Sequence, residues 1–352
     1  MLRQRVITAV ILMAGLLAAL VWLPPIGFDL LLLLVVLAGS LVKASGAGMG
    51  CPDWPKCYGY WIPPMDEKEV VWEANKSFES GQIIVHENKL LVANDNFKAS
   101  VEFDASQWTP YKKHDYAIYK PEHTIIEYLN RLCGVVLGIM AILMVFYSRV
   151  YRKEKPIVFW GSIIMFIIIL FEGYLGAKVV ESNLKPLKIS MHLYLAFLIL
   201  IVIAFVRSRV VDPLEIEESK RKSIKKWLMA SVILLCAQLV MGTNVRQTFD
   251  DLRLSGIIRE SWIDESGWLF LVHRSFSLVY AAITGVTLYF LYELKVKHFA
   301  TKWMLVLMLL IIATGVIMGY FEVPQFARPV HLLLSSILLS YSCVLLFAMR
   351  KK

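Results

Sequence analysis

The chain has 352 residues, of which 58% are hydrophobic, and its formal net charge is +9. Its mean hydropathy of +0.61 is high, because water-soluble domains have only about half of their residues apolar. These values exclude an ordinary soluble enzyme. They indicate a membrane protein in which the basic residues set the orientation in the bilayer, and we expect no nucleic-acid partner.

Seven apolar stretches are long enough to cross a bilayer, which takes about 20 residues for roughly 30 Å of hydrocarbon. They are residues 126–148, 157–178, 188–206, 226–242, 268–292, 303–321 and 328–348. A shorter stretch, 28–43, is the eighth candidate. Pro24, Pro25 and Gly27 separate it from residues 1–27, which we expect to be an atypical amino-terminal apolar segment, signal-like, interfacial or a broken hairpin. The sequence predicts an all-α polytopic membrane protein with about eight transmembrane helices.

Basic connections alternate with acidic ones along the chain. The segments 149–156, 207–226 and 293–302 and the last three residues contain 4, 7, 3 and 3 Lys or Arg. The positive-inside rule predicts that these segments are cytoplasmic, including the carboxyl terminus. The segments 44–125, 179–187, 243–267 and 322–327 then face outward. We expect a multi-pass protein of a bacterial inner membrane with one long extracytoplasmic loop, residues 44–125.

This long loop contains β-forming residues. The segments GQIIVHENKLLVA (81–93) and KASVEF (98–103) flank an Asn-Asp-Asn turn signal. Their composition predicts strands in a small β-rich cap. Within it, His86 and His114 are expected to be exposed loop residues.

Two of the five cysteines lie at the start of this loop, in GCPDWPKC (50–57). The oxidising outer face favours a disulfide between Cys51 and Cys57. A metal half-site or two unrelated thiols are the alternatives, and a metal would need further ligands nearby. Cys133, Cys236 and Cys343 lie in apolar spans, where burial explains them.

An internal repeat is visible in the second half of each group of four spans. His192 and His331 each lie 16 residues after a glycine, Gly176 and Gly315, and each histidine then begins an apolar helix. Such a repeat at equivalent positions indicates duplicated architecture.

A second pair of positions follows the same repeat. Asn130-Arg131 aligns with His273-Arg274, and each pair lies near the start of an apolar helix. The sequence therefore predicts two tandem pseudo-equivalent four-helix bundles, an amino-terminal half at 28–206 and a carboxyl-terminal half at 226–352. The segment 207–225 is the predicted cytoplasmic linker.

The histidines indicate haem. A polar ring within an apolar helix is costly unless it has a function or a partner. Haem iron takes axial ligands from opposite sides, and the porphyrin fills the apolar gap. His273 and His331 suit the two sides of one haem, and Arg274 could pair with a propionate.

The corresponding positions of the first half are Asn130 and His192, with Glu127 on the face of Asn130. A carboxyl group inside a bundle is a candidate proton acceptor or cation stabiliser. A salt bridge to Arg131 or Lys178 is the alternative for Glu127.

These motifs together resemble haem A synthase, the membrane oxygenase that converts haem O to haem A for cytochrome oxidase. The resemblance covers about residues 30–350 and rests on AGSLVKASGAGMGCPDWPKCYGYWIPP (38–64), EYLNR (127–131) and the three helix-borne histidines.

The resemblance implies eight helices in two pseudo-equivalent halves. Substrate haem O would bind in the first half at His192, with Asn130 and Arg131 beside it. The cofactor haem b would bind between His273 and His331 in the second half. It also implies that Glu127 takes part in catalysis and that Cys51 and Cys57 form the outer cysteine pair. The implied reaction is oxygenation of one ring methyl to a formyl group in two successive steps.

Two departures from the family stand out. Where the family commonly has Glu-x-x-His, this chain has Glu127 and Asn130, so one imidazole on the substrate side is missing; His123 is a distant substitute. The opening MLRQRVITAVIL is instead similar to that of phosphatidate cytidylyltransferases, whose acidic metal-binding signature is absent.

Two other functions are compatible with part of the pattern: a bis-histidine membrane cytochrome b that only transfers electrons, and a haem-binding assembly factor without chemistry. The expected partners are the lipid bilayer, haem O, haem O synthase and an unidentified electron acceptor or donor. Gly315-x-x-x-Gly319 permits close helix packing, within or between chains, so a homo-oligomer is an open expectation.

Overall fold

The computed structural model describes residues 24–296 and 298–350. Eight helices in these ranges are long and apolar enough to cross a membrane. They are α1 (Pro24–Ser45), α2 (Pro121–Ser148), α3 (Pro156–Glu181), α4 (Pro186–Ser208), α5 (Glu218–Leu254), α6 (Trp268–Glu293), α7 (Phe299–Tyr320) and α8 (Ala327–Ala348). The predicted all-α polytopic architecture with eight spans is confirmed.

Proline marks the start of three helices. It stands at the first position of α2, α3 and α4, where its fixed φ suits the helix and its missing N–H would have had no partner in the helix. The described part of α1 starts at Pro24, four residues before the predicted span at 28. Most of the predicted atypical segment, residues 1–23, lies outside the described residues.

Helix α5 is much longer than the predicted span 226–242, since it covers 37 residues from Glu218 to Leu254. Its polar outer part stays helical because side chains of α4 satisfy it. The Tyr194 hydroxyl donates to Asn244 Oδ1 at 2.9 Å, and Ser190 donates to Gln247 Oε1 at 2.9 Å. The helix therefore extends beyond both ends of the predicted apolar span, into the segments 207–225 and 243–267.

Residues 46–120 form the cap, and we call the end of the bundle where it lies the cap end. The cap contains β1 (Ser77–Phe78), β2 (Ile83–His86), β3 (Lys89–Ala93), β4 (Phe97–Lys98) and β5 (Trp108–Pro110). Strands β2, β3 and β5 form one antiparallel sheet, and β1 pairs with β4. The predicted β-rich cap is present, although residues 99–103 are not a strand.

A two-residue turn joins β2 to β3. Its residues Glu87 and Asn88 both have positive φ, 48° and 60°, as a tight hairpin between right-twisted strands requires. The turn thus precedes the Asn-Asp-Asn signal at 94–96, which follows β3.

The helices pack in two groups of four. In the first, α1 contacts α2 and α4, and α3 lies between α2 and α4; in the second, α5 contacts α6 and α8, and α7 lies between α6 and α8. The groups meet where α8 packs against α1 and α4, and where α4 packs against α5. One apolar core passes through both groups and includes Leu31, Leu200, Leu291 and Leu339. Consequently α2 and α4 are diagonal partners in one group, as are α6 and α8 in the other.

Candidate functional site

Four residues on the diagonal helices each face a glycine of the preceding helix. A Cβ atom added to each glycine would lie 3.7 Å from Asn130 Oδ1 at Gly39, 3.4 Å from His192 Cε1 at Gly176, 3.0 Å from His273 Cε1 at Gly242 and 3.6 Å from His331 Cε1 at Gly315. A larger residue at these positions would press on the ring or amide. The glycines therefore leave room for each facing side chain.

The same four residues lie at similar depth. His192, His273 and His331 lie within the first two turns of α4, α6 and α8, and Asn130 lies in the third turn of α2. At 1.5 Å of rise per residue, all four are in the half of their helix nearer the cap. Each group thus has two such residues on diagonal helices at its cap end.

In the second group, the two histidines have different surroundings. His331 Nδ1 is 2.8 Å from the Thr314 hydroxyl. His273 Nδ1 is buried without a hydrogen-bond partner among the described residues. The Gln238 side chain, one turn before Gly242, donates to the His273 backbone carbonyl at 3.2 Å. Both rings thus retain Nε2 as an available ligand atom.

In the first group, His192 lies beside a carboxyl group. Its Nδ1 is 3.1 Å from Glu172 Oε1 on α3. This distance suits a hydrogen bond, but the ring is turned so that Nδ1 has no well-aligned partner. The opposite residue, Asn130, contributes an amide instead of an imidazole.

A face of α2 without side chains extends from Asn130. Gly134 and Gly138 follow it at intervals of four residues, and a Cβ at either position would meet no atom within 4 Å. Together with the His192 imidazole on the diagonal helix α4, this open face leaves space for a flat macrocycle that a histidine nitrogen could hold.

Glu127 is 3% exposed, on α2 below the cap. Its Oε2 accepts from the Cys51 N–H at 2.9 Å, and its Oε1 accepts from Arg131 Nη2 at 2.6 Å. The salt bridge to Arg131 that the sequence offered as an alternative is present, whereas Lys178 pairs with Glu181.

Arg131 holds the disulfide loop, which we define as residues 50–58. Its guanidinium donates to the carbonyls of Asp53 at 2.7 Å, Lys56 at 2.8 Å and Cys51 at 3.1 Å. Hydrogen bonds to a charged donor are stronger than neutral ones. Arg131 thus fixes the loop to α2, and these contacts, with Glu127, are those observed for its guanidinium.

The predicted disulfide joins Cys51 and Cys57, whose Cα atoms are 4.7 Å apart. Gly50 lets the loop touch α2, because a Cβ there would lie 2.4 Å from the His123 carbonyl group. Thr124 donates to the Gly50 carbonyl at 2.8 Å. The disulfide loop therefore rests directly on the first turn of α2.

Polar groups inside the cap also form hydrogen bonds with the disulfide loop. Burial raises the pKa of the Asp53 carboxyl, although the N–H groups of Tyr58 and Gly59, which donate to it at 2.6 and 2.9 Å, act in the opposite direction. His114 Nε2 is 3.0 Å from the Pro52 carbonyl. His114 is thus half-buried against the loop instead of being the exposed residue that we expected.

A charged cluster connects the two groups of helices at the cap end. Asp250 on α5 is 2% exposed, 3.3 Å from Lys43 Nζ on α1, and accepts from Arg246 Nη1 at 2.7 Å. Arg246 also donates to Ser190 on α4 at 2.9 Å. Helices α1 and α5 therefore meet at one carboxyl group, and Arg246 connects it to α4.

The remaining predicted residues are placed as follows. Arg274 is exposed, while Arg328, one turn before His331, has a buried Nε without a partner among the described residues. His123 lies in the first turn of α2, near Gly46. Throughout 24–296 and 298–350, no three His, Cys, Asp or Glu side chains are grouped to hold a metal ion, which disfavours the metal half-site at the cysteines.

Sequence reasoning missed Glu172, the charged cluster and the glycines at 39 and 242. Gly39 and Gly242 would have been found by asking which residue of the preceding helix lies opposite Asn130 and His273. Glu172 is an isolated carboxyl within the apolar run 157–178, and that pattern alone identifies a buried group needing a partner.

Comparison with known proteins gives the family. The model of the COX15-CtaA cytochrome oxidase assembly proteins matches residues 26–104 and 80–343. The haem A synthase of Ehrlichia canis (strain Jake) is 23% identical over 344 residues, 91% of this chain and 90% of that protein. That of Rickettsia prowazekii (strain Madrid E) is 22% identical over 339 residues, 88% and 92% of the two chains.

A third relative matches a shorter region. The haem A synthase of Shewanella oneidensis is 24% identical over 240 residues, 66% of this chain and 59% of that protein. The family model covers all eight helices except the first two residues of α1 and the last five residues of α8, and hence all four glycine-facing positions. The chain belongs to the COX15-CtaA family of cytochrome oxidase assembly proteins.

Proposed function

We propose that the protein is a haem A synthase, which oxidises one ring methyl of haem O to a formyl group in two successive oxygenation steps for cytochrome oxidase biogenesis. The observation that carries this proposal is the repeated placement of His192, His273 and His331 against glycines, in a chain of this family. This conversion oxidises the methyl carbon, so it needs either molecular oxygen together with an electron donor or water as the oxygen source together with an electron acceptor.

The proposed cofactor is haem b, and His273 and His331 would hold its iron. Their helices are diagonal across the second group, and both rings are close to a glycine. When bound, this group accepts and passes on single electrons. Arg274 remains our proposed propionate partner, and Arg328 is a second cation near His331.

Haem O is the substrate, and we assign it to the first group. His192 is the proposed ligand of the substrate iron, and Asn130 leaves the opposite face without an imidazole, because an amide is a poor ligand for haem iron. Gly134 and Gly138 give the macrocycle space along α2. Arg131 acts here mainly by fixing the disulfide loop above this region.

Glu127 is the proposed catalytic residue. It is buried at the start of α2 in the same group as His192 and one turn from Asn130. Its carboxyl group could accept a proton from the substrate or stabilise positive charge developing at the methyl carbon. Its two hydrogen bonds to Cys51 and Arg131 hold that carboxyl group in one orientation.

We place the protein in a bacterial inner membrane, with the cap extracytoplasmic and the linker and carboxyl terminus cytoplasmic. The basic connections support this orientation. Haem O synthase is the proposed source of the substrate, and the electron acceptor or donor is a further partner. A homo-oligomer through the Gly315-x-x-x-Gly319 face belongs to the same set of proposals.

Pigment analysis tests the function. The chain is expressed in a host that supplies haem O and lacks haem A, and the extracted haems are separated. We expect haem A with the wild-type chain and none with His331→Ala, the control lacking one ligand of the cofactor. Haem B alone, with haem O unchanged, would reject the enzyme and leave an electron-transferring cytochrome b. Bound haem O without conversion would favour an assembly factor.

A further inference from the structure

The three helix-borne histidines differ in what faces Nδ1. His192 faces the Glu172 carboxyl group at 3.1 Å, His331 faces the Thr314 hydroxyl at 2.8 Å, and His273 Nδ1 has no partner among the described residues. A ligand histidine usually donates its second ring N–H to an acceptor, which fixes the tautomer and raises the basicity of the ligating nitrogen. Only His192 is beside a carboxyl group.

Glu172 has no other described role. Its side chain is 14% exposed within the membrane-spanning helix α3, where an unpaired carboxyl group is costly. His192 is its only polar partner among the residues that the structure describes, and its Oε2 is buried without a hydrogen bond. A carboxyl group at this depth in a membrane-spanning helix therefore indicates a function.

Glu172 and Gly176 both face the His192 ring. They are four residues apart and therefore share one face of α3. Glu172 meets the Nδ1 edge of His192, and a Cβ at Gly176 would lie 3.4 Å from Cε1 and 3.8 Å from Nε2. The carboxyl group can thus hold one nitrogen while the glycine leaves the other free.

We propose that Glu172 is the positioning residue of His192: it accepts the Nδ1 hydrogen and leaves Nε2 for the substrate iron. It also makes the His192 Nε2 a stronger electron-pair donor to iron than the Nε2 of His273 or His331. This inference rests on the proposed function. It accounts for two features of the first group together, because a single, strengthened axial ligand compensates for the missing imidazole at Asn130.

The second group provides a comparison within one chain. The repeat counterpart of Glu172, four residues before Gly315 on α7, is Ile311, and the residue four positions before the glycine that faces His273 is Gln238 on α5. Its amide contacts the His273 backbone carbonyl instead of Nδ1. Replacement of Glu172 by glutamine therefore keeps size and an acceptor oxygen while giving His192 a neutral neighbour of the kind that His273 already has.

The experiment measures the iron–histidine stretching band of the reduced protein loaded with haem O, by resonance Raman spectroscopy. A haem held by one histidine gives this band, and a haem b held by both His273 and His331 does not. We expect Glu172→Gln to lower the band frequency and to raise the reduction potential of bound haem O. Glu172→Ala should weaken haem O binding about 10-fold or more. Haem b content should stay unchanged in both variants.

Thr314→Val is the control, because it removes the Nδ1 partner of His331 and should leave the haem O band where it was. An unchanged band and potential in Glu172→Gln, in protein that binds and converts haem O, would overturn this inference and leave the proposed function intact. Failure of the wild-type protein to bind haem O would refute both.

Discussion

Glu127 and Arg131 connect the membrane helix α2 to the cap through a single set of hydrogen bonds. The two side chains pair at 2.6 Å, and both contact Cys51, through its N–H and its carbonyl. A buried carboxyl group in such a network has two possible uses, since it can hold the loop or act on the substrate. The structure shows the first use and is compatible with the second, because the hydrogen bonds also fix the carboxyl group.

Substitution separates the two uses. Glu127→Gln keeps an acceptor for the Cys51 N–H but cannot accept a proton as a carboxylate does, so we expect turnover to fall about 100-fold or more while the loop stays protected from protease. Arg131→Met releases the three loop carbonyls and serves as the control for a loosened loop. Full activity of Glu127→Gln would contradict the catalytic role. A Glu127→Gln variant that is as sensitive to protease and as inactive as Arg131→Met would also contradict it, because the loosened loop would then explain the loss of activity.

At the scale of the elements, each proposed ligand position is formed by two neighbouring helices rather than by a single residue. Glycine on one helix and histidine on the next approach so closely that the register of both determines where the ring points. Gly242 is the tightest case, because an added Cβ would lie 3.0 Å from Cε1 and 3.4 Å from Nε2 of His273. Contacts this short force the ring or the helix to move.

We therefore expect Gly242→Ala to reduce the haem b content of the purified protein severalfold, at a cost of about 1–3 kcal/mol in overpacking. Gly285→Ala on α6 is the matched control, since its Cβ would meet no atom within 4 Å. The pyridine haemochrome spectrum measures the content. Equal haem b in both variants would show that Gly242 does not set the position of His273.

Much of this arrangement could be predicted from the sequence, and the rest has identifiable physical causes. The apolar runs predicted the eight spans. The composition of the long loop predicted the β-rich cap, and its closely spaced cysteine pair predicted the disulfide. The outer part of α5 could not be predicted, because Asn244 and Gln247 accept hydrogen bonds from Tyr194 and Ser190, which lie 50 and 57 positions away. The contact of Glu172 with His192 was missed for a related reason, since it depends on the rotation of α3 against α4.

At the scale of the whole molecule, Asp250 is where charged side chains from the two groups of helices form ion pairs. Lys43 on α1 and Arg246 on α5 both pair with it, and all three side chains are largely shielded from solvent. Removing the partner of a buried charge is far more destabilising than removing a surface ion pair. The two groups therefore depend on this carboxyl group for their attachment at the cap end.

We expect Asp250→Asn to lower the free energy of unfolding in detergent by roughly 3–5 kcal/mol, because it leaves two buried cations without a counter-charge. The neighbouring Asp251 is exposed, so Asp251→Asn should change stability by about 0.5 kcal/mol or less. Thermal unfolding followed by circular dichroism compares the two variants. Similar transitions would contradict a joining role for Asp250.

The contacts between the groups keep the same pattern when the groups are exchanged. Exchange converts the α8–α1 contact into the α4–α5 contact and returns the α4–α8 contact to itself, as in an isologous dimer. The cap, Asn130 and Glu172 depart from this symmetry because they occur in the first group alone. The same packing plan therefore presents two chemically different surroundings, one in each group.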